Sequence, residues 1–220
     1  MDGRALTFHL AGINNQNFLM RDEETGSYWQ QINGRAISGP LAGRQLELVH
    51  SDELTFALWR QEHPRGFVLR NVQKYESGYD PKDWEQRMSR ARTVVDTSKT
   101  GRVPRELMLG IVVNGASRAY PLARVLEQKL IQDTVGGTQV ILVVGPDGKS
   151  VRAFAAQLPG ASVVPDYYRD PTGLFLDSET GNKWDFQGCA KGTCLQAISI
   201  LKDYWFDWHL YHPDTTVYSR

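Results

Sequence analysis

The 220-residue sequence lacks an excess of charge of either sign, since it has 25 lysines and arginines and 25 aspartates and glutamates. Without a net positive charge, there is no bulk attraction to nucleic acid or to an anionic membrane surface. The sequence also lacks any apolar run near the roughly 20 residues that span a bilayer. No signal peptide is visible after Met1. These absences predict a soluble globular chain with no transmembrane segment and no nucleic-acid partner, and they leave its localisation unknown.

Signatures of several enzyme classes are missing as well. There is no glycine-rich phosphate loop after a predicted strand and no Gly-x-Ser-x-Gly turn that would carry a nucleophile. The two cysteines, Cys189 and Cys194, have no second pair to complete a closed zinc site. They are compatible with free thiols, with a disulfide loop in an exported protein, or with half of a metal site. We expect no metal, no cofactor and a possible disulfide.

What the sequence does contain is one motif that occurs twice. Residues 22–29 read Asp-Glu-Glu-Thr-Gly-Ser-Tyr-Trp, and residues 177–184 read Asp-Ser-Glu-Thr-Gly-Asn-Lys-Trp. Further along, residues 56–64 follow the pattern Phe-x-x-Trp-x-x-x-His-Pro, and residues 205–213 follow Trp-x-x-Trp-x-x-x-His-Pro. So many landmarks in the same order predict a diverged internal duplication.

Each copy predicts a β-hairpin, a short helix and a closing strand. The glycine of Glu-Thr-Gly can take the positive φ of a tight turn, and the later Trp lies on the returning strand. In the first copy, Ser51-Asp52 offers a helix N-cap, and Pro64 and Pro213 end the two helices. The strand-like ends are residues 67–69 and 216–218.

The middle of the chain predicts antiparallel strands and a polar insert. Leu107–Val113 is an apolar strand that Asn114-Gly115 turns back, and Pro121 opens a helix. A second hairpin joins Val140–Val144 to Val151–Ala155. Residues 71–106 are polar and rich in arginine and lysine, without clean periodicity, as in functional or disordered loops.

Together these patterns predict an α+β fold that is mostly β, with two diverged β-hairpin and short-helix repeats packed around central antiparallel strands. We expect a single compact domain over residues 1–220. Copy one covers about residues 1–70, the central hairpins and polar insert cover 71–150, and copy two covers about 151–220.

Several segments resemble a bacterial family known as a domain of unknown function, DUF3179. The matching stretches are Leu6-Thr7-Phe8, Met20-x-Asp22-x-Glu24-Thr25-Gly26-Ser27-x-Trp29, Ala36-Ile37-x-Gly39-x-Leu41-x-Gly43, Arg118–Leu122 and Asp133–Gly137. The resemblance implies a fold family but no activity. Members often carry a Cys-Pro-x-Cys segment before the Leu-Thr-Phe strand, and this chain begins after that point. The resemblance also suggests export in full-length relatives.

Five polar residues are candidates for a ligand site. Asn15 and Asn17 belong to an amide cluster that is present in the first copy alone, and they can bind a ligand or satisfy loop backbone. Arg118, Tyr120 and Asp133 lie around the central predicted helix. They can orient an anionic or carbonyl substrate, or an Arg–Asp pair can merely pin that helix.

The missing catalytic signatures favour a binding or scaffold module for a protein partner or a small polar ligand. The alternative is an enzyme of unknown reaction, with a pocket between the repeats lined by the five candidates. A third possibility is redox or metal chemistry at Cys189 and Cys194. His63 and His212 occupy matched positions in the two copies, which favours a structural role at the helix ends.

Overall fold

The structure, a computed structural model, describes residues 3–162 and 164–219. The strands are β1 (Phe8–Asn14), β2 (Asn17–Asp22), β3 (Tyr28–Gln30), β4 (Ala36–Ser38), β5 (Leu107–Val113), β6 (Ala116–Pro121), β7 (Leu130–Val135), β8 (Thr138–Val144), β9 (Val151–Ala155), β10 (Tyr167–Arg169), β11 (Phe175–Asp177), β12 (Lys183–Trp184), β13 (Cys189–Ala190), β14 (Thr193–Cys194), β15 (Ala197–Ile198), β16 (Leu201–Tyr204) and β17 (Thr216–Val217). The α-helices are α1 (Phe56–Glu62), α2 (Trp84–Arg90), α3 (Leu122–Gln128) and α4 (Trp205–Tyr211). Two 3₁₀ helices cover Gln73–Gly78 and Ser98–Thr100. The fold is α+β and mostly β, as predicted.

Two four-stranded sheets form the centre of the molecule. The first central sheet has the order β16-β5-β6-β17, and the second central sheet has the order β15-β9-β8-β7. Helix α3 contacts β5, β6, β7 and β8, and so it bridges the two sheets. Leu109, Ile111, Val125, Val140 and Leu142 meet in the core that these elements share. Burial of this apolar surface is the main force that holds the sheets together.

Strand β8 is buried on both of its faces, because successive side chains of a strand point to opposite sides. Val140 and Leu142 belong to the core around α3, whereas Ile141 and Val143 pack in a second core with Phe175. That second core joins the second central sheet to two small sheets, β10-β11-β12 and β13-β14. Burial on both faces explains why β8 reads as a continuous apolar run.

Helix α4 covers the outer face of the first central sheet. Its Trp205 and Trp208 pack against Met108 of β5 and Ala119 of β6 in a third core. Gly110 of β5 leaves room for one of these rings, since a Cβ atom there would lie 2.1 Å from the ring of Trp208. The identity of this glycine is therefore set by packing.

The central elements match their sequence predictions. Strand β5 spans Leu107–Val113, and Asn114 and Gly115 both have positive φ in the turn to β6. Helix α3 begins directly after Pro121. Strand β9 spans Val151–Ala155, as its apolar pattern indicated. These predictions are confirmed.

Two predictions for the first copy are wrong. Helix α1 is capped by Thr55, whose hydroxyl accepts from the N–H of Leu58, rather than by Ser51-Asp52. The predicted closing strand at residues 67–69 does not form, and Phe67 is 98% exposed. A strand needs an edge to pair with. The other predicted closing strand, at residues 216–218, forms as β17 (Thr216–Val217) and pairs in parallel with β6.

The insert of residues 71–106 carries α2 and the two 3₁₀ helices, and most of its side chains are exposed. Its C-terminal part is tied to the β1–β2 turn by Gln16. The Gln16 amide donates to the carbonyl of Arg92 and accepts from the N–H of Val94. The insert therefore lies beside the hairpin of the first copy.

Candidate functional site

The two Asp-x-x-Thr-Gly-x-x-Trp turns are built from the same hydrogen bonds. Asp22 Oδ2 accepts from the indole N–H of Trp29 at 2.7 Å and from the hydroxyl of Thr25. Asp177 Oδ2 accepts from the indole of Trp184 at 2.9 Å and from the threonine of its own turn. Burial alone would raise the pKa of both aspartates, but these hydrogen bonds lower each pKa below its ordinary value. Both carboxylates thus serve as anchors for a buried Trp.

Three of the five predicted site residues form one network. Arg118 Nε donates to Asp133 Oδ2 at 2.6 Å, and the Tyr120 hydroxyl donates to the same oxygen at 3.0 Å. Arg118 also donates to the hydroxyl of Thr216. Burial and the charge of Asp133 raise the pKa of Tyr120 far above its ordinary value, so this hydroxyl keeps its proton. In this geometry the three side chains cross-link β6, β7 and β17.

The structure places the two predicted asparagines at α4 instead. Asn15 lies in the β1–β2 turn, where it and Gln16 both have positive φ, and Asn17 is the first residue of β2. Asn17 Nδ2 donates to Asp207 Oδ2 at 2.9 Å. Within residues 3–162 and 164–219, no described hydrogen bond joins Asn15 or Asn17 to the network of Arg118. The five candidates thus divide into two groups.

Asn17 leads to a pair of carboxyl groups that sequence reasoning missed. Asp203 lies in β16, and Asp207 lies in the first turn of α4 with 6% of its surface exposed. Burial and the charge of Asp207 raise the pKa of Asp203, and burial raises the pKa of Asp207. The two carboxyls are neighbours, and these raised pKa values favour one proton on the pair over full ionisation. Two acids four residues apart in an aromatic segment were the available signal.

A cavity of about 270 Å³ lies beside the segment that precedes α1. Its apolar lining comes from both central sheets and α3, through Leu109, Leu122, Val151, Ile198 and Ile200. Its charged lining is balanced, with three cations and three carboxylates: Lys149, Arg152, Lys202, Asp52, Glu53 and Glu85. The cavity therefore combines an aliphatic wall with a polar wall of no net charge.

Arg152 is the best-anchored polar group of this cavity. It lies on β9, is 7% exposed, and donates to both carboxylate oxygens of Glu62 at 2.9 and 2.8 Å. Its Nε donates to Asp52 Oδ2 at 2.9 Å. Burial alone would lower the pKa of Arg152, but the hydrogen bonds to Glu62 and Asp52 raise it. A lone arginine in the apolar strand Val151–Ala155 was the signal in the sequence.

A second cavity of about 210 Å³ shares Asp52 and Arg152 with the first. Its lining includes His50 and His63. His50 Nδ1 lies 3.1 Å from the hydroxyl of Ser199, and its Nε2 lies 3.4 Å from Asp52 Oδ1. The ion pair of Asp52 with Arg152 therefore stands between two small concave surfaces.

Cys189 and Cys194 are joined in a disulfide bond. The two residues lie directly opposite each other on β13 and β14. Within the described residues, no group of three or more His, Cys, Asp or Glu side chains could hold a metal ion.

The fold thus defines a mostly β protein with two central sheets, peripheral hairpins and short helices. Residues 1–215 match the family described as "Protein of unknown function (DUF3179)". Since the match covers nearly the whole chain, the protein belongs to that family, which confirms the resemblance seen in the sequence. No curated protein and no solved structure matches the chain. In the described ranges, no helix is both long and apolar enough to cross a membrane.

Proposed function

We propose that this DUF3179 protein is a binding module for a small polar ligand held in the cavity beside Arg152. The observation that carries the proposal is the lining, which joins six aliphatic side chains (the five named above and Leu54) to a few fixed polar groups. Ligand sites are commonly concave and mostly apolar, with a small number of polar groups that set orientation. Arg152 is preorganised by its two carboxylate partners, so binding would not have to order it.

The charges of the lining favour a ligand without net charge. Arg152 is paired with Asp52, and Lys202 is paired with Glu53. Lys149 and Glu85 also line the cavity, and neither has a described ion-pair partner in residues 3–162 and 164–219. A carboxylate group of the ligand can bind Lys149, and an ammonium group of the ligand can bind Glu85. We infer a small zwitterion with an aliphatic side chain as the ligand class.

The predicted duplication belongs to this proposal, with one domain over residues 1–220. Its support is the matched turns and the matched helix ends. There the backbone N–H groups of His63 and His212 donate to the backbone carbonyls of Trp59 and Trp208. The packing is also reciprocal. The first hairpin contacts α4 through Asn17, and the segment after the second hairpin contacts Arg152, which binds α1.

The ligand sites predicted from sequence stay as further proposals. Asn15, Asn17, Arg118, Tyr120 and Asp133 would have to exchange their present protein contacts for a ligand. A protein partner is the other occupant that we predicted. The exposed apolar residues 67–69 are the feature that favours it, since exposed apolar patches mark protein interaction sites.

The ligand proposal predicts that L-leucine perturbs the NMR signals of residues around the cavity. Glycine lacks the aliphatic side chain and 4-methylvalerate lacks the ammonium group, so both should bind at least about tenfold more weakly. Ile200→Trp fills the cavity and should abolish the leucine response. Leu201→Trp is the matched control, because Leu201 directly follows Ile200 and does not line the cavity. Equal responses to all three compounds, or leucine shifts outside the cavity, would contradict the proposal.

A reaction at the second cavity is the alternative function. The observation in its favour is His50 between a hydroxyl and a carboxylate, the arrangement by which histidine activates a nucleophile. If Ser199 is that nucleophile, a fluorophosphonate probe should label the protein but not the Ser199→Ala variant. His50→Gln should slow labelling by about 100-fold. Labelling that is absent, or that persists in Ser199→Ala, would remove this alternative.

A further inference from the structure

Polar contacts hold the hairpin of the first copy against α4. Asn17 Nδ2 donates to Asp207 Oδ2, and Gln30 Nε2 donates to the hydroxyl of Tyr211 at 3.2 Å. Helix α4 is itself fixed to the first central sheet by its buried Trp205. These hydrogen bonds therefore attach a peripheral hairpin to a rigid part of the fold.

The carboxyl pair under this contact needs a proton. Asp203 Oδ1 accepts from the N–H of Tyr204 at 2.7 Å, and Asp207 Oδ2 accepts from Asn17. Asp207 Oδ1 is buried and has no donor among the described residues when both carboxyls are ionised. The neighbouring Asp203 carboxyl would become a donor to Asp207 on gaining a proton. Two ionised carboxylates in this position would repel each other without the solvation that compensates such repulsion in water.

The surroundings supply no described ion pair to either carboxyl. His209 and Tyr211 are the other titratable groups on the same helix. From the insert, Arg102 lies over Trp205 and is paired with Glu106. Arg105 lies over the rings of Tyr204 and Phe206, and the hairpin contributes the uncharged amides of Asn14–Asn17. On β16 itself, Lys202 is paired with Glu53. Among the described contacts, a proton is therefore what can offset the repulsion between the two carboxyl groups.

We propose that Asn17, Asp207 and Asp203 form a proton-operated latch. The latch holds the β1–β2 turn on α4 while the carboxyl pair keeps one proton. When both carboxyls are ionised, the turn is released from α4. Release of the turn would let water solvate the ionised carboxyl pair. This proposal is independent of the ligand cavity beside Arg152, because the two sites share no residue.

The direction of the pH response follows from the raised pKa of Asp203. A carboxyl whose pKa is higher in the folded state stabilises that state most at low pH. Its contribution is lost as the pH rises from the unfolded-state pKa through the folded-state pKa. The latch is therefore closed in mildly acidic solution and opens on the alkaline side. The anchoring aspartates Asp22 and Asp177 respond in the opposite direction, because their pKa values are lowered.

Hydrogen exchange of the full chain tests the latch. After correction for intrinsic exchange rates, the opening constant of the β1–β2 amides should rise at least about tenfold between roughly pH 6 and pH 9. In Asp203→Asn an amide replaces the protonated carboxyl and cannot ionise, so the rise should disappear. Asp214→Asn is the matched control, since Asp214 is exposed and should leave the rise unchanged. Asn17→Ala should open the hairpin at both pH values.

Three results would overturn the latch. The first is equal opening of the wild-type hairpin at both pH values, and the second is a pH response that survives in Asp203→Asn. The third is suppression of the alkaline opening by millimolar calcium, which would make the pair a cation site. If Asp203→Asn does not fold, a carbon-13 NMR titration of the wild-type Asp203 carboxyl replaces it. A midpoint at the ordinary aspartate value would then refute the proposal.

Discussion

Replacing Arg152 with alanine should lower the free energy of unfolding by about 3–5 kcal/mol. The expected loss is large because Glu62 and Asp52 would keep their charges without their partner, and the Glu62 side chain is only 10% exposed. The bidentate geometry adds to the effect, since both carboxylate oxygens of Glu62 lose a donor at once. Urea unfolding followed by tryptophan fluorescence measures the change directly.

Arg124→Ala is the control for this variant. Arg124 pairs with Glu127 at 3.4 Å, and both side chains are more than half exposed. Exposed pairs of this kind contribute little, so the control should change stability by less than about 0.5 kcal/mol. Arg152→Lys keeps the charge but not the planar fork, and its cost should lie between the two. A cost for Arg152→Ala no larger than that of Arg124→Ala would show that the network carries no stability.

Local chemistry explains which elements were predictable from the sequence. Asn114 and Gly115 both take positive φ, and such a pair between two apolar strands strongly favours a tight hairpin. Pro121 has the φ of a first helical turn and needs no N–H partner there, so α3 begins beside it. The anchoring of Trp29 and Trp184 is also local, since each indole bonds an aspartate seven residues earlier in the chain.

The polar sites were less predictable because their partners are distant in sequence. Asp52 and Arg152 are 100 residues apart, and Asn17 and Asp207 are 190 apart. Periodicity tells which side of an element is buried, but it does not tell which polar residues meet there. Asn17 was predicted as a site residue from its absence in the second copy. Its partner Asp207 had only the weak signal of two acids four residues apart, which does not show that either acid is buried or which residue it contacts.

Residues 67–69, which were predicted to form a strand and do not, also show that a local sequence pattern does not reveal which distant segments meet. This run of three apolar residues, Phe67-Val68-Leu69, has the propensity of a strand, but pairing depends on an edge contributed by another part of the chain. The other predicted closing strand has that edge in β6, where Thr216 lies opposite Arg118. Strand propensity therefore predicted both closing strands, but the tertiary structure gives a pairing edge to β17 alone, within the described residues.

Gly110→Ala should cost about 3 kcal/mol, although it adds a single methyl group. The added Cβ would lie 2.1 Å from the buried ring of Trp208. Strand β5 cannot retreat easily, because Gly110 is paired with Leu201 of β16 on one side and Ala119 of β6 on the other. The ring cannot retreat easily either, since Trp208 is only 2% exposed. Thermal or urea unfolding of the variant measures the cost.

Gly12→Ala is the matched control, since Gly12 also lies in a strand and a Cβ there would meet nothing within 4 Å. Its effect on the free energy of unfolding should stay within about 0.5 kcal/mol. A second variant separates the clash from any loss of glycine flexibility. Trp208→Leu removes the ring and is destabilising alone, but Gly110→Ala should cost much less in that background, with a coupling of about 1–3 kcal/mol. Additive costs would place the effect in the backbone instead of in the contact between β5 and α4.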